Sequence, residues 1–196
     1  MLYALLKFTE EVHVVIKDGY IRVTEIFSQW DRFSHIDPVV LENKANIGTE
    51  VHRAIDAHEE CIHLPLEKGH GYFDSFVKWS NLVGVQSQLR SIRFYCEMLK
   101  ITGEIDLIAK FPGSDQLILI DFKTCAQKDD KFWKLQGQFY HYLCKQNGIE
   151  VSDRFLFLKL DKNGEFPKVY EYHSSPSLLN VCMSSYICYK YLNSVA

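Results

Sequence analysis

Two apolar runs, residues 101–109 and 117–122, flank the turn signal Pro112-Gly113-Ser114-Asp115, and together they predict an antiparallel hairpin. Ile118, Leu119 and Ile120 are consecutive and apolar, which predicts a strand covered on both faces. Other elements are arranged around this hairpin. Residues 12–16 and 20–23 predict two strands joined at Lys17-Asp18-Gly19, and Thr24 is placed to cap a short helix through Trp30. Asp37-Pro38 starts a helix that runs to about Glu60, with a break expected near Gly48. A loop over 63–70 leads to a helix over 71–82, with Phe73, Phe76, Val77 and Trp79 turned inward. Residues 86–95 predict a strand and 95–99 a turn into the hairpin. A polar loop at 127–131 opens a helix through Lys145. A second hairpin (154–160 and 168–172) turns at Asp161-Lys162-Asn163-Gly164, and a helix over 175–192 closes the chain. The expected fold class is α/β (α+β), a central mixed β-sheet flanked by helices. One domain over 1–196 is expected, with its core at about 38–172, N-terminal strands and helix in 1–37 and the C-terminal helix at 175–192.

Composition changes this picture little. The 47% hydrophobic and 24% charged content is ordinary for a globular chain. A net charge of −3 gives no general attraction to nucleic acid, so affinity for phosphate would need a local patch. Six cysteines without a Cys-x-x-Cys pair argue against a zinc ribbon and suit free thiols in a reducing compartment. His58, Cys61 and His63 lack a fourth ligand at zinc spacing. The N-terminal apolar stretch meets Glu10 and Glu11 too soon for a signal peptide or membrane span, so a cytoplasmic protein with no membrane partner is expected.

The chemistry-bearing residues sit on the central hairpin. Asp106 and Asp121 are equidistant from its turn, so simple register sets them opposite one another on one face, with Cβ atoms about 4.5–5.5 Å apart. Lys123 joins Asp121 on that face and Phe122 points away. Two carboxylates buried together repel unless a cation lies between them, and oxygen ligands suit Mg²⁺ or Mn²⁺. The plainer alternative makes Asp121 and Lys123 the solvated end of a strand. Gly48, His52, Ile55 and Glu59 share one helical stripe, and Gly48 leaves room above the imidazole for substrate or backbone. Gln136 and Tyr140 share a stripe with Trp133 and Cys144, while Leu135, Phe139, Tyr142 and Leu143 form a second one. Since packing needs one stripe, Gln136 and Tyr140 are expected to face the site and hold Lys123 or the substrate backbone. A core Tyr–Gln hydrogen bond is the alternative.

Gly103-Glu-Ile-Asp106 followed by Asp121-Phe-Lys123-Thr124 resembles the core of the PD-(D/E)XK nuclease superfamily. Gln136-Gly-Gln-Phe-Tyr140 resembles the Q-x-x-x-Y signature of its RecB-type exonuclease branch, and Gly48-Thr-Glu-Val-His52 resembles that branch's G-x-x-x-H. Viral, mobile-element and mitochondrial-genome-maintenance exonucleases are similar, and the overlap runs from about Val23 to Gly148. The resemblance implies a restriction-endonuclease-like core, with Asp106, Asp121 and Lys123 as catalytic residues. It implies metal ligation by His52, Asp106, Asp121 and the Phe122 carbonyl, and substrate contacts from Gln136, Tyr140, Thr124 and Gly48. Where relatives carry a glutamate on the preceding strand, this chain offers Gln88 and Ser91, with Glu97 nearer the turn as at most a distant contact; Glu104 is peripheral. Some relatives hold an iron–sulfur cluster, but the spacing after Cys182 and Cys188 lacks a close third cysteine, so none is expected.

The resemblance thus implies a Mg²⁺- or Mn²⁺-dependent exonuclease acting on DNA ends in recombination, repair or viral DNA processing. Its partners would be DNA, single- or double-stranded, and recombination or replication proteins. An inactive DNA-binding or scaffold module of the same fold, or a structure-specific endonuclease, are the alternatives.

Overall fold

The computed structural model describes residues 17–30 and 36–194, so the predicted strand over 12–16 lies outside the described residues. β1 (Ile21–Arg22) is followed at once by a short helix, α1 (Val23–Ile26). That helix is capped at Arg22 rather than Thr24, with the Glu25 carboxylate accepting from the Arg22 N–H at 3.1 Å. It does not reach Trp30 as one helix. The Ser28 hydroxyl donates to the Glu25 carbonyl at 2.7 Å, and a 3₁₀ turn (Ser28–Trp30) takes over.

α2 (Pro38–Glu59) begins where Asp37 accepts a hydrogen bond from the Val39 N–H at 2.8 Å. It passes through Gly48 unbroken, contrary to the expected interruption. α3 (His70–Val83), β2 (Gln86–Cys96), β3 (Ile101–Lys110) and β4 (Leu117–Lys123) come next. α4 (Asp130–Gln146), β5 (Arg154–Lys159), β6 (Lys168–His173) and α5 (Pro176–Ser194) complete the order.

The six strands form one mixed sheet in which β4 and β5 run parallel and the other long pairs antiparallel. β2 pairs with β3 along its whole length, so β1 and β4 share the other edge of β3. β1 binds at Ile101 and Thr102, and β4 binds from Leu107 to Lys110. The stretch of β3 between them is bordered by neither.

Each face of the sheet carries its own core. Ile105, Ile108, Leu119, Phe155 and Phe157 pack with Phe27, Phe139 and Leu143 on the side of α1, α4 and α5. Leu107, Ile118, Ile120 and Phe122 pack with Val51, Ile55, Phe76 and Trp79 on the side of α2 and α3. This double cover is why β4 is apolar on consecutive residues; each fully buried aliphatic side chain contributes about 1.5–3 kcal/mol. α4 lies between the sheet and α5, which accounts for its two buried stripes without recourse to substrate. Its closeness to β5 requires Gly137, where a Cβ would stand 2.2 Å from the Phe155 ring. Among the described residues no helix is long and apolar enough to cross a membrane. All six cysteines are free thiols.

Candidate active site where the central hairpin opens

The β3–β4 ladder pairs Lys110 with Leu117 and ends at Leu107 with Ile120, in the register the turn predicts. The next rung would be Asp106 with Asp121. There the strands part, and the Phe122 N–H donates to Asp106 Oδ2 at 2.7 Å. The β2–β3 ladder is disturbed at the same height. Arg90 pairs with Leu107 and Ile92 with Ile105, which leaves Ser91 opposite Asp106 with φ of 41°, in the left-handed region.

This kink shifts the alternation of β3. Ile105 and Ile108 enter one core, Leu107 and Ala109 the other. Asp106 consequently faces α2. Asp121 alternates with Ile120 and Phe122 and faces α4. The expectation of both carboxylates on one face is corrected: they approach across the gap between the separating strands, because the alternation of β3 shifts between Ile105 and Leu107, opposite the left-handed Ser91.

On the α2 side, His52 Nδ1 lies 3.2 Å from Asp106 Oδ1. Burial alone would lower the imidazole pKa, but the charge and hydrogen bond of Asp106, with Asp121 beyond, hold it up at about 9. The Asp106 carboxyl is in turn held below its ordinary range: burial is the strongest single influence and pushes it up, but the His52 charge and hydrogen bond, the Lys123 charge and the Phe122 N–H together outweigh it. Gly48 lies one turn before His52, and a Cβ there would come within 3.3 Å of the Thr124 hydroxyl. The room it leaves is thus filled by the Thr124 side chain at the end of β4, not by another backbone. The His52 ring also sits edge-on to Phe122, with centroids 6.0 Å apart.

On the α4 side, Lys123 Nζ lies 2.5 Å from Asp121 Oδ1. Asp121 is 1% exposed. Burial pushes its pKa up and the nearby Asp106 charge adds to this, while Lys123 pulls the other way. Gln136 Nε2 donates to the Tyr140 hydroxyl at 2.9 Å and comes within 3.5 Å of Asp121 Oδ2. Both residues are buried, so they back Asp121 from within the core and do not reach Lys123. The Tyr140 ring fits only because position 103 is glycine; a Cβ there would stand 2.7 Å from Tyr140 Cε1. Burial raises the Tyr140 hydroxyl well above its usual pKa, and it stays a phenol.

The site therefore gathers His52, Asp106, Asp121 and Lys123, with Gly48, Thr124, Gln136 and Tyr140 around them. Two carboxylates and an imidazole make an oxygen and nitrogen donor set that fits a hard divalent cation. Asp121 Oδ1 is buried and accepts no hydrogen bond beyond its ion pair with Lys123. The ligands are not preassembled: among the described residues no three His, Cys, Asp or Glu side chains form a cage. Lys123 and His52 each occupy one carboxylate instead.

Other candidates lie elsewhere. Glu97 pairs with Lys17 and Lys100 beyond the opposite end of β3, about 17 Å along the strand from Asp106. Glu104 pairs with Arg93. His58, Cys61 and His63 line a cavity of about 310 Å³ with Phe73 and Ile62, without forming a metal-binding group. Beside the site lie Asp56, which the sequence reading does not single out, and Ser91, expected only as one of the residues standing where relatives carry a glutamate. Asp56, one turn after His52, accepts from the Ser91 hydroxyl at 2.5 Å, and burial raises its pKa. Its spacing of four from His52 is a usable signal. Nothing in the sequence marks the backbone of Ser91.

Comparison with known proteins gives the family and the fold. The model of the PD-(D/E)XK nuclease superfamily matches residues 50–177, more than half of the chain. The alkaline exonuclease LHK-Exo from Laribacter hongkongensis superposes with a TM-score of 0.52 at 7% identity, covering 90% of this chain and 89% of that one. The same enzyme in complex with dAMP gives 0.50 at 7% identity over 90% and 89%. The crystal structure of SSO0001 gives 0.51 at 13% identity over 96% and 85%. At these identities the likeness is one of fold. No curated protein sequence matches the chain.

Proposed function

Because the chain belongs to the PD-(D/E)XK nuclease superfamily, we propose that it is a metal-dependent deoxyribonuclease, and that it works as an exonuclease on DNA ends. The observation that carries this reading is the convergence of Asp106, Asp121 and Lys123 where the central hairpin opens. Asp106 and Asp121 would hold a Mg²⁺ or Mn²⁺ ion, with the His52 imidazole and the Phe122 carbonyl completing its protein ligands. When bound, that ion supplies Lewis acidity toward the scissile phosphate and lowers the pKa of the attacking water.

The chain's own residues do the rest. Lys123 Nζ, released from Asp121, orients the attacking water and neutralises charge that builds on the phosphate. A lysine can also take up a proton, which arginine at this position could not. To act as a ligand His52 would give up its contact with Asp106, release its proton to solvent and offer a neutral nitrogen. Gln136 and Tyr140 keep the Asp121 carboxylate pointed at the gap from behind, and the Thr124 hydroxyl beside Gly48 borders the substrate side. The resemblance to the superfamily implies products with a 5′-phosphate and a 3′-hydroxyl.

The exonuclease mode draws its support from the resemblance of Gln136-Gly-Gln-Phe-Tyr140 to the RecB-type signature; in this chain the pair stands behind Asp121. The roles in recombination, repair or viral DNA processing, and recombination or replication proteins as partners, come with that same branch. The test is digestion of end-labelled linear DNA against closed circles in Mg²⁺ or Mn²⁺. The expected result is nucleotide release from linear DNA and intact circles; rapid cutting of circles would replace the exonuclease with an endonuclease. Full binding of DNA without cleavage of either would leave a binding module.

A further inference from the structure

The sheet carries a second line of positive charge that the chemistry above does not use. Lys123 on β4 pairs with Lys159 on β5, and Lys159 pairs with Lys168 on β6. Directly paired residues point to the same face, so three lysines stand in one row across three neighbouring strands. At about 4.8 Å between strands the row spans about 10 Å. Like charges set opposite one another on a sheet destabilise it. Among the described residues no carboxylate forms an ion pair with Lys159 or Lys168, whereas Lys123 has Asp121.

The rung beneath explains how the row is held up. Asp121 pairs with Phe157 and Phe157 with Tyr170, so an acid and two aromatic rings form the neighbouring line on the same face. Trp133 of α4 stacks on Phe157 at 5.4 Å with planes 6° apart, and meets Tyr170 edge-on at 5.4 Å. Lys123 Nζ lies 5.2 Å from the Phe157 ring centre and Lys128 Nζ lies 4.6 Å from that of Tyr170. Lys123 and Lys128 therefore lie over a stiff aromatic floor, and Lys159 and Lys168 follow two residues beyond Phe157 and two before Tyr170 on the same face. Lys128 is neutralised by Asp130 at 2.5 Å, which leaves Lys159 and Lys168 as the uncompensated charges.

We propose that Lys159 and Lys168 form a phosphate track, which receives the sugar–phosphate backbone of a DNA strand leaving the Asp106–Asp121–Lys123 centre. The nuclease reading supplies only the identity of the ligand; the uncompensated row of charge stands without it. Ammonium groups on a flat row contact phosphates and read no bases, so the track is indifferent to sequence. It also resolves the mismatch between an acidic chain and a polyanionic substrate, because attraction is concentrated along one line.

The experiment uses the full chain carrying Lys159→Gln and Lys168→Gln together. Binding of a fluorescent single-stranded oligonucleotide is followed across a salt series, beside hydrolysis of thymidine 5′-p-nitrophenyl phosphate, a diester too short to reach the track. The expected result is weaker oligonucleotide binding for every base sequence and a plot of log K against log salt shallower by about 1.4, or about 0.7 per lost phosphate contact. Hydrolysis of the small diester stays as in the wild type. An unchanged salt slope overturns the track, as does an equal loss on the small diester, or a wild type that binds no oligonucleotide. If the wild type binds, the slope falls in the variant, and neither protein hydrolyses anything, the nuclease reading fails while the track stands.

Discussion

The two halves of the central hairpin share a sequence style and a degree of burial, yet they do opposite things. In the closed half, Leu107 to Lys110 pair with Leu117 to Ile120, and apolar side chains feed both cores. In the open half the backbone ladder stops, and a carboxylate takes over: Asp106 accepts the Phe122 N–H that a strand carbonyl would otherwise receive. Ending a ladder inside a covered sheet exposes backbone donors and acceptors that must find partners. The side chains that serve them are charged, and here those charges are what can hold a cation. On the proposed reading the closed half supplies the rigidity and the open half the chemistry.

The largest effect expected from separating the two halves is on Lys123→Ala. Cleavage of an end-labelled oligonucleotide under single-turnover conditions should fall by about 10²–10⁴-fold, the usual contribution of one proton-handling group. Urea unfolding of the same variant should shift only modestly, because the buried Asp121, left without its ammonium, takes up a proton instead of staying charged. Ile120→Ala, one residue from the acid but inside the closed half, should do the reverse. It should cost about 2–5 kcal/mol in urea unfolding. The folded fraction should keep its metal dependence, and a normal unfolding midpoint would break the comparison.

Much of this contrast is legible in the chain. The turn at Pro112-Gly113, the symmetry of 106 and 121 about it, and apolar residues at 118–120 determine the hairpin, its register and its double cover. The motif spacing points to the superfamily. What cannot be read is local backbone: Ser91, left-handed opposite the point where β3 shifts its alternation and Asp106 faces α2, is an ordinary serine in an ordinary strand. A break in α2 is the natural expectation because Gly48 weakens a helix in isolation, while here the helix runs on through it, close beside the Thr124 side chain. The second stripe of α4 suggests a face toward substrate only as long as the cover supplied by α5 is unknown. Gln136 and Tyr140 reach the site all the same, as buried supports behind Asp121.

Tyr140→Phe sharpens the comparison at the boundary between core and site. Losing the hydroxyl removes the acceptor of the Gln136 amide at 2.9 Å. Unfolding experiments should register a loss of about 1 kcal/mol, and cleavage should drop by less than in Lys123→Ala. An effect on cleavage as large as the lysine's would move Tyr140 from support to chemistry.

The smallest effect belongs to neither half. His141 of α4 is buried against Ser174 and Asp153, and burial, with Lys145 nearby, lowers its pKa despite Asp153. A histidine with a depressed folded pKa gives stability that is present above its unfolded value of about 6.5 and is lost as pH falls below it. Urea midpoints should therefore decline on acidification below that pH in the wild type and decline less in His141→Gln. Equal slopes would remove His141 from the account.

The central claim is that two acids from opposite faces of one sheet converge on a single ion. Mn²⁺ titration followed by electron paramagnetic resonance, on the wild type and on the separate Asp106→Asn and Asp121→Asn variants, tests it most directly. The account predicts that either asparagine alone weakens Mn²⁺ binding by at least about tenfold, the lower bound for disturbing a metal's supporting groups. An Asp106→Asn protein that binds Mn²⁺ as tightly as the wild type would contradict it.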